Sequence, residues 1–302
     1  MTRLIAAIVL LFVLVTNDAR AQTCSGLTNI ANGTSADATA VMNNFNTLLG
    51  CITAQNAPRG YLSGLTLSTA GSSVSFGIAP GFATASDNVS PMTFTASSFT
   101  KNTSGWQVGS GNGALDTTPI QASHWYHVYL IKRTDTNVVD VLISLATNTA
   151  PLLPSPYTLY RRIGSMLTDG SSNWVAFTQS GDEFLWKTPA LDQNNGHPGT
   201  TATYPLTTPP GVNTHALITV LYSNTSANAQ GIIYSPDAGT QAPSTPSGYL
   251  NFFSNAAGSF SVANLSVRTD LTSQVNAAFA LGTGNSIYIN TYGWIDRRGQ
   301  NN

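Results

Sequence analysis

With 302 residues, a net charge of −1 and only 8% charged side chains, the chain has no basic face for a nucleic-acid backbone. It does not read as disordered either, because 42% of it is apolar and the net charge is near zero. Ser, Thr, Asn, Gly and Ala stand where charges are usual, which fits many short strands joined by polar turns, as in exported or virion proteins.

In chain order, the first feature is a secretory plan over residues 1–21. Arg3 is followed by an apolar run from Leu4 to Val15 and by Ala19-Arg20-Ala21 before Gln22. The run is shorter than the ~20 residues that cross a bilayer, so it predicts an exported chain rather than an anchored one. Cys24 and Cys51 are the two cysteines, and an even number in an exported chain suggests one disulfide. It would close a loop of about 27 residues and contribute about 3 kcal/mol. The alternative is a pair of unbridged thiols; a zinc site would need histidines nearby.

Thr34 or Ser35 caps a helix with Asp37 in its first turn, where a carboxylate suits the dipole. Ala38, Val41, Met42, Phe45, Leu48 and Leu49 then recur at helical spacing, and Gly50 is the expected stop. One short helix with one apolar face is not a domain. Residues 22–59 therefore read as a helical segment that docks on the following sheet or on a neighbouring subunit.

From Tyr61 the pattern is β. Tyr61–Thr69, Ser73–Ile78 and Met92–Ser97 are short strand candidates, and Lys101 to Thr118 reads as a loop around Trp106 with a short strand at most. In His124–Lys132 both alternating faces are apolar or aromatic, which predicts a central strand covered on both sides. Thr134–Asn137 turns it into Val138–Leu145 as a hairpin, and Thr158–Met166 and Asn173–Gln179 are expected to pair across Asp169-Gly170. Gly181–Lys187 closes this block. The Asn-, Gly-, Thr- and Pro-rich stretch from Asp192 to Pro210 marks a domain boundary. Beyond it, His215–Tyr222, Gly231–Ser235, Gly248–Ser254, Ser259–Val267, Val275–Ala280 and Ser286–Tyr292 are strands. The prediction is an all-β chain, with sandwich or jelly-roll domains at 60–190 and 191–302 behind the N-terminal helix.

No catalytic signature emerges. His124 and His127 point to opposite faces of a strand and cannot share a metal ion, and His197 and His215 stand alone. Asp140, Asp169, Asp182 and Glu183 are the candidate carboxylates for a glycosidase, but Asp182 and Glu183, being adjacent, face opposite ways. No nucleophile elbow, phosphate loop or zinc-protease motif is present. The expectation is a non-enzyme without a cofactor. Trp106, with Asn102 and Asn112 beside it, is the best candidate for an exposed ligand-binding platform, because its neighbours are Gly, Ser and Asn.

Three passages carry a family resemblance. They are Asn32-Gly33-Thr34 through Ala36-Asp37-Ala38, Val41-Met42 and Asn44-Phe45-Asn46; then Trp125–Arg133, continuing through Tyr160–Met166 to Gly181–Trp186; and last Tyr292–Gly299. Together they resemble bacteriophage and prophage tail-fibre-like structural proteins found in α-proteobacterial genomes. The resemblance implies a virion-associated homo-oligomer, a trimer by the habit of fibres. It would bind other tail proteins through its N-terminal segment and touch a host-surface glycan. A tail protein assembled in the cytoplasm has no use for a secretory leader, so residues 1–21 depart from that pattern. A secreted carbohydrate-binding module and a surface-polysaccharide hydrolase are the other readings.

Overall fold

The computed structural model describes Leu27 and residues 38–54, 59–117, 119–147, 150–281 and 283–298. The expected leader, the helix cap and the Cys24–Cys51 bridge fall outside what it describes. The chain divides into a unit at Met1–Asn56 and a compact unit at Ala57–Asn302.

In the first unit, α1 spans Ala38–Ala54. It runs past the stop expected at Gly50, since a helical glycine costs only about 1 kcal/mol relative to alanine and does not end a helix unaided. Its apolar stripe is solvent-facing at Met42, Phe45 and Leu48.

The second unit is all β. Its first part contains β1 (Leu62–Gly64), β2 (Leu67–Ser68), β3 (Ser75–Ile78), β4 (Gly81–Thr84), β5 (Pro91–Phe94), β6 (Phe99–Gly105), β7 (Gly113–Leu115), β8 (Trp125–Lys132), β9 (Val139–Ser144) and β10 (Leu159–Leu167). There follow β11 (Phe177–Ser180), β12 (Glu183–Gly196), β13 (Thr201–Pro205), β14 (His215–Asn224), β15 (Ala229–Tyr234), β16 (Phe252–Ser254), β17 (Phe260–Arg268), β18 (Gln274–Phe279) and β19 (Asn285–Ile295). They form sheets ordered β1-β4-β5, β10-β8-β9-β7-β6-β3-β2, β11-β12-β19-β14-β17 and β13-β18-β15-β16.

The double-apolar strand behaves as its pattern requires. β8 lies between β10 and β9, its hairpin with β9 pairs His127 with Ser144 and Lys132 with Val139, and Tyr126 to Ile131 are all buried. Tyr126, Val128 and Leu130 enter one core, while Tyr129 and Ile131 join Leu142 and Tyr157 on the other face.

Two expectations are corrected. The 101–118 stretch holds more than one short strand: most of β6 and all of β7 lie in it and pair in parallel, with register slippage that a Gly- and Ser-rich sequence tolerates. β10 and β11 do not pair with each other. Across Asp169-Gly170 the chain closes only a short antiparallel bridge, Thr168 with Trp174 and Val175 N–H to the Leu167 carbonyl, beyond which β10 pairs with β8 and β11 with β12. Across the expected boundary at 191, β12 runs from Glu183 to Gly196 and pairs with β19 at Glu183–Leu185 and again from Ala190 to Gly196, with bulges.

Two cores nonetheless exist on either side of that point. The first collects Phe76, Met92, Leu130, Ile143, Met166, Trp174 and Phe184 between the seven-stranded sheet and its covering strands. The second collects Ile218, Val220, Tyr222, Phe252, Val275, Phe279 and Ile289 between the five- and four-stranded sheets. β19 serves both, placing Ile287 and Ile289 in the second core and Trp294 in the first.

Candidate functional site

The densest polar chemistry lies where β10, β12 and β19 meet. A bulge between Arg162 and Gly164 in β10 turns Arg162 towards the chain's end, where it grips Asp296 with two bonds of 2.7 and 2.6 Å. Asp296 also accepts the Arg298 backbone N–H, and the Arg298 side chain pairs with Asp182 at 2.8 Å. Arg161 donates to the carbonyls of Gly60 and Arg298. Burial alone would raise the Asp296 carboxyl, but Arg162 and the surrounding donors outweigh it and hold it below the ordinary range. Beside this pair Trp294 stacks on Phe184 at 4.9 Å and meets Trp186 at 4.8 Å and Trp125 at 5.4 Å.

His127 joins the same network. Its Nδ1 lies 2.9 Å from Ser165 Oγ, and Ser165 Oγ accepts from Arg162 at 3.1 Å. While accepting from Arg162, the serine oxygen can either donate to Nδ1 or accept from it, so the contact serves either neutral tautomer of the ring. The Pro210 carbonyl is near the ring but makes no hydrogen bond of normal geometry to Nε2. Burial, with the Arg162 charge adding to it, lowers the His127 pKa to about 3. An imidazole beside a hydroxyl is the spacing of an activated nucleophile. Here both residues are fully buried and the carboxylate sits on Arg162 rather than on the imidazole, so substrate has no approach. The arrangement binds strands together.

His124, His197, Asp169 and Asp182 are likewise engaged within the fold. His124 Nδ1 faces the Ala122 carbonyl, and His197 Nδ1 faces that of Asn285. Asp169 caps its own turn by accepting from Ser171 and Asn173 N–H, and Asp182 is paired with Arg298. Among the described residues no group of three or more His, Cys, Asp or Glu could hold a metal ion.

Asn102 lies in β6, and Trp106 and Asn112 lie on the loop joining β6 to β7; the Asn102 N–H donates to the Asn112 carbonyl at 3.0 Å. Trp106 is half-buried rather than an open platform: its indole N–H donates to the Val141 carbonyl at 3.1 Å and its ring meets Tyr157 edge-on. The Asn102 amide donates to Gly111 O and accepts from Ser104 N–H, while Asn112 donates to Val108 O. What holds this loop was missed in the sequence. Lys101 is fully buried, pairs with Asp140 at 2.9 Å, donates to Gln107 O, and lies 5.4 Å from the centre of the Trp106 ring. Burial pulls the Lys101 pKa below the usual lysine value, with Asp140 opposing. An aspartate within the apolar run of Val138–Leu145 was the available signal, because a charge there needs a partner.

The open surface with recognition character is the outer face of the five-stranded sheet. Ile287 and Ile289 point into the core, so Tyr288 and Asn290 point outward. Asn290 lies opposite Thr219 and Leu191, Thr219 donates to Asn264 at 2.7 Å, and Tyr288 lies opposite Leu221. This patch carries amides, hydroxyls and an aromatic ring but no formal charge. No family profile, no curated protein and no solved structure matches the chain.

Proposed function

We propose that the chain is a non-enzymatic structural and receptor-binding protein of phage tail-fibre type, which presents its β unit to a glycan on a host surface. The observation that carries this reading is the contrast between its interior and its open face. The histidine and carboxylate candidates for catalysis are held in hydrogen bonds and ion pairs within the fold or stand apart from one another, whereas the uncharged Tyr288–Asn290–Thr219–Asn264 face is part-exposed, with Asn264 fully on the surface. Neutral amides and hydroxyls beside an aromatic ring suit sugar hydroxyls and the apolar face of a pyranose.

The resembling passages support the same reading. Arg161, Arg162, Asp182, Phe184, Trp186, Trp294, Asp296 and Arg298 belong to them, and these residues interlock with one another as a fold signature. The N-terminal segment, with its exposed apolar helix face, is the proposed attachment to other tail proteins and to further copies of the chain.

The test is mass spectrometry of phage particles purified from the native source, paired with binding of the protein to native host cells before and after periodate treatment of their glycans. The reading expects the chain in the particles and periodate-sensitive binding. Its absence from particles together with periodate-insensitive binding would overturn the proposal.

A further inference from the structure

The sheet edges within residues 59–298 are not equally protected. β2, β16 and β1 are two or three residues long, β5 begins with Pro91, β13 ends at Pro205, and β11 has four residues. β10 is long but carries a bulge and two arginines, and its Tyr160 carbonyl is taken by Ser86. Short length, proline, bulges and charge are the usual means by which edges avoid pairing with another chain.

β17 has none of them along its length. It pairs with β14 through nine consecutive residue pairs without a register shift, and its other side is the end of the sheet. Phe260 and Val262 are 68% and 61% exposed on its outer face. Ser261, Ala263 and Leu265 point inward yet are only half-buried, whereas their neighbours Ala216, Ile218, Val220 and Tyr222 on β14 are fully buried. The strand's one charged residue, Arg268, stands at its C-terminal end beside Asp237.

We propose that β17 is a homotypic interface, pairing antiparallel with β17 of a second copy about a two-fold axis to join two five-stranded sheets into one. Charge selects the direction, since a parallel pair would set Arg268 against Arg268. The antiparallel pair sets Arg268 against Phe260, where guanidinium and ring attract each other. Overlap of the whole strand puts the axis at Asn264, so that Asn264 faces its own copy and Val262 faces Ser266. The partner is a second copy because this strand is complementary to itself in this register without any like-charge contact. The pair also makes the Tyr288–Asn290–Thr219–Asn264 face continuous across two chains, although the inference stands on edge geometry alone.

The experiment uses the position that meets itself. Asn264 is exposed, so Asn264→Lys and Asn264→Asp are tolerable in the monomer, but each sets like charges about 5 Å apart across the axis. Light scattering on the mature full-length chain is expected to show the mass of each single variant halved relative to the unsubstituted protein. An equimolar mixture of the two variants is expected to restore it, because Lys then faces Asp. Amide exchange in residues 260–268 should speed up in the single variants and slow again in the mixture. An unsubstituted protein that is strictly monomeric at micromolar concentration, or variants whose mass is unchanged, would overturn the inference. A cooperative thermal melt checks that each variant is folded. If Asn264→Lys does not fold, halving by Asn264→Asp alone supports the pairing and an unchanged mass refutes it.

Discussion

The buried His127 gives the fold an acid sensitivity that can be worked out in advance. In the native state the ring is enclosed, faces the Arg162 charge, and has a pKa of about 3, with Asp296 and the Pro210 carbonyl opposing the shift only in part. In the unfolded chain it returns to about 6.5. A pKa that folding depresses means that the unfolded state binds the proton first. The stability from keeping His127 neutral is therefore complete above pH 6.5 and is lost as the pH falls towards 3. The linkage relation puts the loss at about 2 kcal/mol at pH 5 and about 3 kcal/mol at pH 4, relative to pH 7. The assay is urea unfolding at pH 7, 6 and 5, where carboxylates stay ionised, for the unsubstituted protein and for His127→Gln. The glutamine keeps an amide near Ser165 but has no proton to take up. It should lower stability at pH 7 and flatten the slope between pH 7 and pH 5 by about 2 kcal/mol. Equal slopes in the two proteins would mean that His127 is reached by protons in the native state, and the argument from burial would fail.

Three further outcomes are expected. Asp296→Asn leaves Arg162 buried against a neutral partner and should cost about 3–5 kcal/mol in urea unfolding, whereas Arg162→Met with Asp296→Leu should cost less than the sum of the two single changes. The Asp296 carboxyl is held below its ordinary range by Arg162, so this contribution is complete at neutral pH and is lost only as pH falls below about 4. Lys101→Met should cost about 3–5 kcal/mol by leaving Asp140 buried without its cation, and should speed amide exchange in residues 106–112, which Lys101 ties down through Gln107 O. Gly293→Ala puts a methyl 2.2 Å from the Phe184 carbonyl, and the backbone shift this demands should cost about 1–3 kcal/mol, read as a lower melting temperature.

What could be read from the sequence follows how local its cause is. β8 was legible because both alternating sets, Tyr126-Val128-Leu130 and Tyr129-Ile131, are apolar, and only a strand buried on both faces calls for that. The β8–β9 hairpin was legible because its turn and its flanking strands are adjacent in the chain. β12 beyond Lys187 was not, because Thr188 to Gly196 has no alternating pattern, and its extended form comes from the ladder that β19 supplies. Lys101 was lost in a Ser- and Gly-rich stretch because its reason for being there is Asp140, on another strand. The same holds for the network around Arg162. The sequence shows Arg161-Arg162 as a pair of charges on a strand, while the structure shows one reaching Gly60 and the other Asp296, each far away in the chain.

That network also ties the two cores to each other. A linker permits independence when the chain crosses once and carries few interactions with it. Here β12 and β19 cross together, hydrogen-bonded to each other from Glu183–Ile295 to Gly196–Ile287. At the far end of β19, Trp294 fills the first core and Asp296 neutralises Arg162 within the first sheet. Removing the second half of the chain would therefore take the tryptophan out of the Phe184–Trp186 stack and leave Arg162 a buried cation without its carboxylate. Removing the first half would leave Trp294 without its aromatic partners and Asp296 without its cation. Each half lacks a part of its own interior that the other provides. The passages that carry that exchange, from Tyr160 to Met166, Gly181 to Trp186 and Tyr292 to Arg298, are thus tied to one another by the fold.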